Sequence, residues 1–346
     1  MSAVIKQSIA ELVGRTPLLA LNGLMKANRL GAEIIAKLEY FNPNNSIKDR
    51  IALAMIQQAE YSGKLKPGDT IVETTSGNTG IGLAAIAAAR GYKFRVYIND
   101  YVSAERTKIV RAFGGEVIKF SEVENFIEIL EASDGDFVAA TKWLEQNVIA
   151  KLPNHYFCYQ LENPANPNIH RLTTGPEIWQ DSAGQVDILI AAVGTGGTVS
   201  GVGHYLKQQN PAIKIIAIEP GVASRPSADN PEPVEITGVH QFTDIAPERI
   251  PRTMNTAIYD EAIAVETWQA YAAAREVAQT DGILIGESSG AVLHAAKLVA
   301  QRPESEGKTI VAILADSGLT YLTTDLFNAE VGEAQLKATK AKPVSV

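Results

Sequence analysis

Lys48 lies in a short polar segment whose residue types could perform covalent chemistry on a carbonyl group. The segment covers residues 42–50 and reads Asn-Pro-Asn-Asn-Ser-Ile-Lys-Asp-Arg. Ser46, with Asp49 three residues later, predicts the beginning of a helix and places Lys48 in its first turn. The helix dipole disfavours a cation there, so the position favours the neutral amine that a Schiff-base lysine needs. The same pattern also fits a solvated lysine on a helix face.

Two turns rich in glycine, serine and threonine each lie between a predicted strand and a predicted helix. Residues 74–80 read Thr-Thr-Ser-Gly-Asn-Thr-Gly, and their hydroxyl, amide and backbone N–H groups predict an anion site at a helix N-terminus. Residues 194–198 read Gly-Thr-Gly-Gly-Thr, and these glycines allow backbone N–H groups to approach a phosphate closely. Two further turns, at 286–290 and 315–318, are commonplace in isolation.

Other patterns exclude several classes of site. No Gly-Lys-Ser/Thr follows the 194–198 turn, so it is not a Walker loop, and Val199 replaces the third glycine of a dinucleotide fingerprint. Glu219, at the end of the next predicted strand, could still bind a ribose, so a dinucleotide site stays a rival. The five histidines and the single cysteine show no metal-ligand spacing, so no metal site is expected.

Apolar runs of strand length alternate with helical patterns along the chain. Strands are predicted at 70–73, 94–98, 186–193, 213–218 and 309–314, and helices at 81–90, 103–113, 198–208 and 292–299. This alternation is typical of an α/β fold with parallel sheets and helices on both faces. Ligands bind such sheets at the carboxyl ends of the strands, where the polar turns are expected to lie.

Composition and charge favour a globular protein that acts on small molecules. The 346 residues are 46% apolar, which suggests about two domains of roughly 150 residues each. The net charge of −8 argues against nucleic acid as a main partner. No apolar run approaches the ~20 residues that span a membrane, and no signal sequence is recognisable, so we expect no membrane association and a cytoplasmic location. Cys158 can form no internal disulfide and is either a buried inert thiol or a reactive one.

Taken in chain order, these segments resemble the cysteine synthase (O-acetylserine sulfhydrylase) branch of the β-family, fold-type II enzymes that depend on pyridoxal 5′-phosphate. The matching segments are 42–50, 75–80, 163–179, 194–198, 286–291 and 316–322. The resemblance extends from about Ser8 to Phe327.

The resemblance implies a role for each matching residue. Lys48 would hold the pyridoxal 5′-phosphate covalently and act as acid and base at the substrate Cα. Asn78 would bond the ring hydroxyl of the cofactor, and Ser288 would face its pyridine nitrogen. The residues implied to bind the cofactor phosphate are Gly194, Thr195, Gly196, Gly197 and Thr198. Those implied to bind the amino-acid substrate are Thr75, Ser76, Gly77, Thr79 and Gln160, together with Gly238 and His240 from a later loop.

The resemblance also implies a fold-type II architecture of two domains, each with a twisted, mostly parallel sheet flanked by helices. We expect a smaller mobile domain at 40–154, which carries the substrate-carboxylate loop. A larger domain, from 1–39 and 155–327, would bind the cofactor phosphate, and 328–346 would be a flexible tail. Members of the family are usually homodimers, so a homodimer is expected, and serine acetyltransferase is a possible protein partner.

The implied activity is a β-replacement on an O-activated L-serine. O-acetyl-L-serine and sulfide would give L-cysteine through an aminoacrylate intermediate. Three alternatives stay open on the same fold: O-phosphoserine as the donor, a nitrogen or larger thiol nucleophile as the acceptor, and β-elimination as in a cysteine desulfhydrase.

Several positions depart from the family pattern near the expected substrate entrance. Asn45 replaces a small residue, Asn99 replaces a proline, and residues 122–132 resemble an insertion. Glu287 and Ala315 are also unusual at their positions. These departures leave the cofactor residues intact and concern the choice of substrates.

The loop at 238–251 is the departure with the clearest chemical meaning. His240 stands where the family has a small residue, and Arg249 follows nearby. A cation there could recognise a phosphate leaving group or an acidic nucleophile. Alternatively, both side chains lie on a solvated loop and contact nothing.

Overall fold

The computed structural model describes residues 5–100, 104–133, 135–227 and 230–328. Of the tail predicted at 328–346, only Asn328 is among them. The described residues form ten strands and eleven α-helices, joined by 3₁₀ turns and one π-helical turn. None of these helices is both long and apolar enough to cross a membrane.

The strands are β1 (Leu18–Ala20), β2 (Glu33–Leu38), β3 (Thr70–Thr74), β4 (Lys93–Ile98), β5 (Glu116–Lys119), β6 (His155–Phe157), β7 (Ile188–Ala192), β8 (Lys214–Pro220), β9 (Glu261–Val265) and β10 (Thr309–Leu314). The helices are α1 (Asn22–Asn28), α2 (Lys48–Tyr61), α3 (Asn78–Arg90), α4 (Ala104–Ala112), α5 (Phe126–Ala132), α6 (Phe137–Asn147), α7 (Ala165–Ile169), α8 (Gly175–Asp181), α9 (Gly197–Gln209), α10 (Thr267–Asp281) and α11 (Glu287–Ala300).

Six strands form the larger sheet in the order β1-β2-β10-β7-β8-β9. All neighbouring strands are parallel except β1, which pairs antiparallel with β2. Every residue of β10 is buried, as expected for a central strand whose two faces are covered by helices. Because parallel strands end at one edge of a sheet, the segments that follow β7, β8 and β10 lie beside one another.

Four parallel strands form the smaller sheet in the order β5-β4-β3-β6. Its core includes the buried side chains of Ile71, Leu83 and Phe94. The α/β class with two mostly parallel sheets is confirmed. Strand β6 lies just beyond residue 154, where we placed the domain boundary, and the division into two domains stays a prediction.

The beginning of α2 differs in detail from the predicted cap. The helix begins at Lys48, and the Ser46 hydroxyl accepts a hydrogen bond from the Lys48 N–H at 3.2 Å. The Asp49 carboxylate instead accepts from the backbone N–H of Asn44 at 2.7 Å. The chain folds back in this way through Asn45, whose φ of +61° is a left-handed conformation that asparagine tolerates. This conformation accounts for the asparagine at a position where the family has a small residue.

Cys158 follows β6 and is buried. Burial raises the pKa of its thiol well above the usual value, and the nearby carboxyl of Glu73 raises it further. The thiolate is the reactive form of cysteine, so the structure favours an inert thiol over a reactive one.

Candidate active site

Lys48 is fixed in place through the end of strand β10. The N–H of Ile47 donates to the carbonyl oxygen of Ala315 at 2.8 Å, and Ser46 pairs with Asp316 in an antiparallel bridge. The lysine side chain is half-buried. Desolvation lowers the pKa of its amine, although the negative charge of Asp316 partly opposes this shift. A larger share of the amine is therefore neutral, as carbonyl chemistry requires.

A buried ion cluster anchors α2 to the larger sheet. The guanidinium of Arg50 contacts Glu39 at 2.7 Å and Glu177 at 2.6 Å. Lys37, on β2, contacts the same Glu177 at 2.9 Å. Burial alone would raise the pKa of Glu177, but these two cations hold it at about 2. Buried charges are costly when left unpaired, so the cluster fixes the helix that begins with Lys48.

Asn78 begins α3 and contacts a carboxylate at the end of β10. Its side-chain nitrogen donates to Asp316 Oδ2 at 2.7 Å, and the Tyr321 hydroxyl donates to the same oxygen at 2.7 Å. Within the described residues, the buried Asp316 Oδ1 has no hydrogen-bond partner. Burial raises the pKa of Asp316 despite these two donors and the positive charges of Arg106 and Lys48. One N–H and the oxygen of the Asn78 amide stay available to a ligand.

Thr79 and Gln160, both predicted to bind the substrate carboxylate, contact each other. The Thr79 hydroxyl donates to Gln160 Oε1 at 2.7 Å, so the amide nitrogen of Gln160 can still donate elsewhere. The backbone N–H of Gln160 donates to the buried carboxyl of Glu73 at 3.0 Å. The structure thus brings together two predicted residues that come from α3 and from the segment after β6.

The turn that precedes α3 is held by its own hydroxyl groups. Thr75 Oγ1 accepts from the N–H of Gly77 at 3.2 Å, and Ser76 Oγ accepts from the N–H of Asn99 at 3.0 Å. A proline at position 99, as in the family, has no N–H and could not donate to Ser76. The departure at Asn99 therefore adds a hydrogen bond to a predicted substrate-binding residue.

The turn at 194–198 leads from β7 into α9 and is closely packed. A Cβ on Gly194 would lie 2.5 Å from the carbonyl oxygen of Gly238, and one on Gly197 would lie 1.9 Å from Asn166 Oδ1. Gly196 has a φ of +79°, which glycine adopts readily. The N–H groups in the first turn of α9 lack acceptors within the helix. The turn therefore has the features expected of a phosphate site.

Asn166 connects the predicted phosphate turn with the residues predicted to bind the substrate carboxylate. Its amide nitrogen donates to Thr195 Oγ1 at 2.9 Å and to the carbonyl oxygen of Gln160 at 2.8 Å. On the other side of the turn, Thr198 Oγ1 lies 3.3 Å from His170 Nε2. Burial lowers the pKa of His170 well below its usual value, so the imidazole is neutral.

Ser288 lies in the first turn of α11 and is half-buried. The next residue, Ser289, is fully buried, and its hydroxyl has no hydrogen-bond partner in the part of the chain that the structure describes. Just before the helix, the N–H of Gly286 donates to the carbonyl oxygen of Asp316 at 3.2 Å. The beginning of α11 thus lies beside the end of β10, close to the partners of Asn78.

Residues 237–243, which we name the 237–243 loop, lie beside the turn at 194–198. The N–H of His240 donates to the carbonyl oxygen of Val193 at 2.8 Å. The carbonyl oxygen of Gly238 packs against Gly194, where a side chain would not fit. The two loop residues predicted to bind substrate are therefore adjacent to the predicted phosphate site.

The surroundings of His240 do not favour the positive charge that was considered for it. Solvent reaches the imidazole, but the surrounding protein desolvates the ring and lowers its pKa. The positive charge of Lys48 lowers this pKa further. The lowered pKa favours the uncharged form of the imidazole.

The structure also gives Arg249 a partner within the protein. Its guanidinium lies 3.9 Å from Asp136 Oδ2 and 3.5 Å from the carbonyl oxygen of Ser133. Both acceptors follow α5, the helix that lies in the 122–132 segment. The residues that directly follow the segment resembling an insertion therefore contact the 238–251 loop.

Glu219, which could have bound the ribose of a dinucleotide, has another function in this fold. Its Oε2 accepts the N–H groups of Phe242 and Thr243, both at 3.1 Å, and its Oε1 accepts the Thr243 hydroxyl. Because both oxygens hold the end of the 237–243 loop, the dinucleotide interpretation loses its acidic residue.

Neither Asn166 nor Glu287 was predicted to have a role in the site, and the distance from Asp316 to the site could not be predicted from the sequence. Asn166 lies in the matching Asn-Pro-Ala-Asn-Pro segment, so that segment carried a usable signal. Glu287 was visible only as an acid at an unusual position. Its partners, Thr237 and Tyr271, come from other segments of the chain.

The assembled residues fit pyridoxal 5′-phosphate. The glycine turn before α9 fits its phosphate, the half-buried amine of Lys48 fits its aldehyde, and the hydroxyl of Ser288 fits its ring nitrogen. The amide of Asn78, oriented by Asp316, retains donor and acceptor groups for the ring hydroxyl.

The chain is similar to known enzymes that depend on pyridoxal phosphate. The family model described as pyridoxal-phosphate dependent enzyme matches residues 9–316. The cysteine synthase of Staphylococcus aureus is 42% identical over 322 residues, which are 93% of this chain and 97% of that protein. The crystal structure of a cysteine synthase from Entamoeba histolytica is 37% identical with a TM-score of 0.78, covering 97% of this chain and 96% of that one. The crystal structure of a hydrogen sulfide-producing enzyme from Fusobacterium nucleatum is 34% identical with a TM-score of 0.80, covering 92% and 99%. The chain belongs to the pyridoxal-phosphate-dependent enzymes of fold type II, in their cysteine synthase branch.

Proposed function

We propose that this protein makes L-cysteine from O-acetyl-L-serine and sulfide, with pyridoxal 5′-phosphate as its cofactor. The placement of Lys48 carries the proposal. Its half-buried amine with a lowered pKa begins α2 beside Asp316, the partner of Asn78. When bound, the cofactor supplies the electron sink that allows the Cα proton and the β-substituent to leave. Similarity to cysteine synthases supports this activity.

The residues of the chain then bind the substrate and move its proton. The turn before α3, with Thr79 and Gln160, binds the substrate carboxylate through hydroxyl, amide and backbone N–H donors. Lys48, as a neutral amine, takes the proton from Cα. Ser288 would present a hydroxyl rather than a carboxylate to the ring nitrogen and would not force its protonation. Departure of the β-substituent then competes well with return of the proton to Cα.

The alternatives are less well supported. A phosphate leaving group would favour a cation, but the lowered pKa of His240 disfavours a positive charge there, and the guanidinium of Arg249 lies 3.9 Å from Asp136 Oδ2. The relatives named as cysteine synthases do not favour a nitrogen or larger thiol nucleophile. Elimination without replacement can be distinguished from replacement by the products that form with and without sulfide.

The test is a spectral titration of the protein loaded with pyridoxal 5′-phosphate. We expect visible absorbance, a spectral change on addition of O-acetyl-L-serine, and its reversal by sulfide with release of L-cysteine. Lys48→Ala should abolish both the activity and the reducible attachment of the cofactor, while Lys151→Ala, on the distant 3₁₀ turn after α6, should abolish neither. A protein that gains no absorbance with added cofactor contradicts the proposal. Pyruvate without cysteine in the presence of sulfide would instead indicate elimination.

We also propose that residues 40–154 move as a domain toward the rest of the chain when substrate binds. Closure would exclude water from the reacting substrate before the nucleophile arrives. The contact of Arg249 with Asp136 supports the proposal, because it joins the 238–251 loop to this part of the chain. Small-angle scattering should show compaction with O-acetyl-L-serine, and an unchanged radius of gyration would contradict closure.

We further propose a cytoplasmic homodimer that can associate with serine acetyltransferase. Exposed apolar side chains, including Leu172, Leu319 and Leu322, support an interface with a second copy. Sedimentation should give twice the chain mass of 37.1 kDa, and a monomer at micromolar concentration would contradict the dimer.

A further inference from the structure

The 237–243 loop contains no helix or strand, yet it is held at three points. The N–H of Thr237 donates to Glu287 Oε2 at 2.9 Å. In the middle, the N–H of His240 donates to the carbonyl oxygen of Val193 at 2.8 Å. At the other end, Phe242 and Thr243 donate to Glu219. Both ends of the loop are therefore held by carboxylates.

The carboxylate of Glu287 is deeply buried and is itself held from a second helix. The residue is 2% exposed. Its Oε1 accepts the hydroxyl of Tyr271, a buried residue of α10, at 2.8 Å. Glu287 is the first residue of α11, where the helix dipole favours a negative charge. A buried charge is costly unless donors surround it, and here a hydroxyl, an N–H group and a helix N-terminus do so.

The position of Glu287 connects the loop with the residue expected at the cofactor ring. Its backbone directly precedes Ser288, while its side chain reaches the N–H of Thr237. The loop can therefore not shift relative to the beginning of α11 without breaking a buried hydrogen bond to a carboxylate. The charge of this residue, unusual at its position, has a specific partner in the loop.

We propose that Glu287, held by Tyr271, is a positioning residue that sets the placement of the 237–243 loop and hence the binding of the amino-acid donor and the nucleophile. This inference rests on the proposed function for its kinetic consequence. The placement of the loop by Glu287 does not depend on that function, because Glu287 should protect the Thr237 amide from exchange whatever the substrate is.

Hydrogen exchange of the holoenzyme tests this placement of the loop. Glu287→Ala should increase exchange at the Thr237 amide about tenfold or more and leave Phe242 and Thr243 protected. Glu219→Ala should give the reverse pattern. Glu287→Gln keeps an acceptor for Thr237 and should restore protection, and Tyr271→Phe should give an intermediate increase. Glu276→Ala removes a carboxylate that also joins α10 to α11, through Lys297, and is the matched control because it does not contact the loop.

Kinetics test the functional consequence. Glu287→Ala should raise the KM for O-acetyl-L-serine or sulfide about tenfold while kcat and the absorbance of bound cofactor change little. Glu287→Gln should return KM close to the value of the unsubstituted protein.

Unchanged exchange at Thr237 in both Glu287→Ala and Tyr271→Phe would overturn the inference. An equal loss of cofactor binding and loop protection would also overturn it, because it would indicate a general structural role. If the unsubstituted protein made no cysteine, only the proposed function would be contradicted. Hydrogen exchange at Thr237 would then still test the positioning role of Glu287.

Discussion

The side-chain nitrogen of Asn78 donates a 2.7 Å hydrogen bond to Oδ2 of Asp316, across 238 positions of the chain. The bond fixes which end of the Asn78 amide faces strand β10. It also places a buried carboxyl close enough to Lys48 for each group to shift the pKa of the other. Asp316 is thus coupled both to the amide and to the amine that are expected to contact the cofactor.

Replacing Asp316 with asparagine should lower the pKa of Lys48 further. The carboxylate charge raises the pKa of the amine, so its removal leaves desolvation less opposed. The pH dependence of the rate at which the apoprotein attaches pyridoxal 5′-phosphate should therefore shift to lower pH. Asp69→Asn, far from the lysine, is the control and should not shift it. A shift of the Asp316→Asn profile to higher pH would contradict the coupling.

Thr79 and Gln160 should act as one unit in substrate binding, because the threonine hydroxyl orients the glutamine amide. Thr79→Val and Gln160→Ala should each weaken binding of a non-reacting amino acid by about 1.5–3 kcal/mol, or roughly 10- to 150-fold. The double substitution should cost less than the sum of the two. Spectral titration with L-alanine measures these affinities, and Gln58→Ala on the exposed face of α2 is the control. An equal loss of cofactor affinity would contradict the assignment.

The sequence predicted those parts of the fold that have a strong local pattern. Strands β7 and β10 are continuous apolar runs, and both were predicted within two residues. Strand β5 reads Glu-Val-Ile-Lys and was not predicted, because its stability comes from pairing with β4 rather than from its own pattern. Strand β1 is only three half-buried residues and pairs antiparallel with β2, so it too depends on a partner.

The same distinction holds within the site. Lys48 and the glycine turn at 194–198 could be identified because each is a compact motif. Contacts such as Asn78 with Asp316 join segments that no local pattern relates. The charge state of His240 could not be predicted either, because the desolvation that lowers its pKa depends on the folded surroundings.

Adjacent serines at the beginning of α11 should differ in their effect on the cofactor. Ser288 is half-buried, whereas Ser289 is fully buried within the protein. Ser288→Ala should change the absorbance spectrum and the affinity of bound pyridoxal 5′-phosphate, because it removes the hydroxyl expected at the ring nitrogen. Ser289→Ala should leave the spectrum unchanged and keep or slightly raise the free energy of unfolding, since it removes a buried hydroxyl that lacks a described partner. The opposite pattern would reassign the ring contact to Ser289.

Glu73 should make the protein less stable as the pH rises toward 8. Its carboxyl is completely buried on β3, and burial raises its pKa to about 8, although the N–H groups of Thr74 and Gln160 favour the charged form. The folded state therefore binds this proton more tightly than the unfolded state, in which the pKa is near 4.5. The stabilisation is complete below pH 4.5 and is lost progressively as the pH rises through 8, with a slope of at most about 1.4 kcal/mol per pH unit.

Urea denaturation at pH 6.5, 7.25 and 8 should show this loss of stability. In Glu73→Gln the free energy of unfolding should depend less on pH. His170→Gln is the matched control, because the pKa of this buried imidazole is shifted downward instead. Only the unfolded state then binds the histidine proton, so His170 destabilises the fold below about pH 6.5 and contributes almost no slope above it. The difference in the free energy of unfolding between Glu73→Gln and the unsubstituted protein should therefore grow between pH 6.5 and 8. The corresponding difference for His170→Gln should stay constant. If His170→Gln removed the pH dependence of the free energy of unfolding and Glu73→Gln left it unchanged, the carboxyl of Glu73 would already be ionised in the folded protein at pH 6.5.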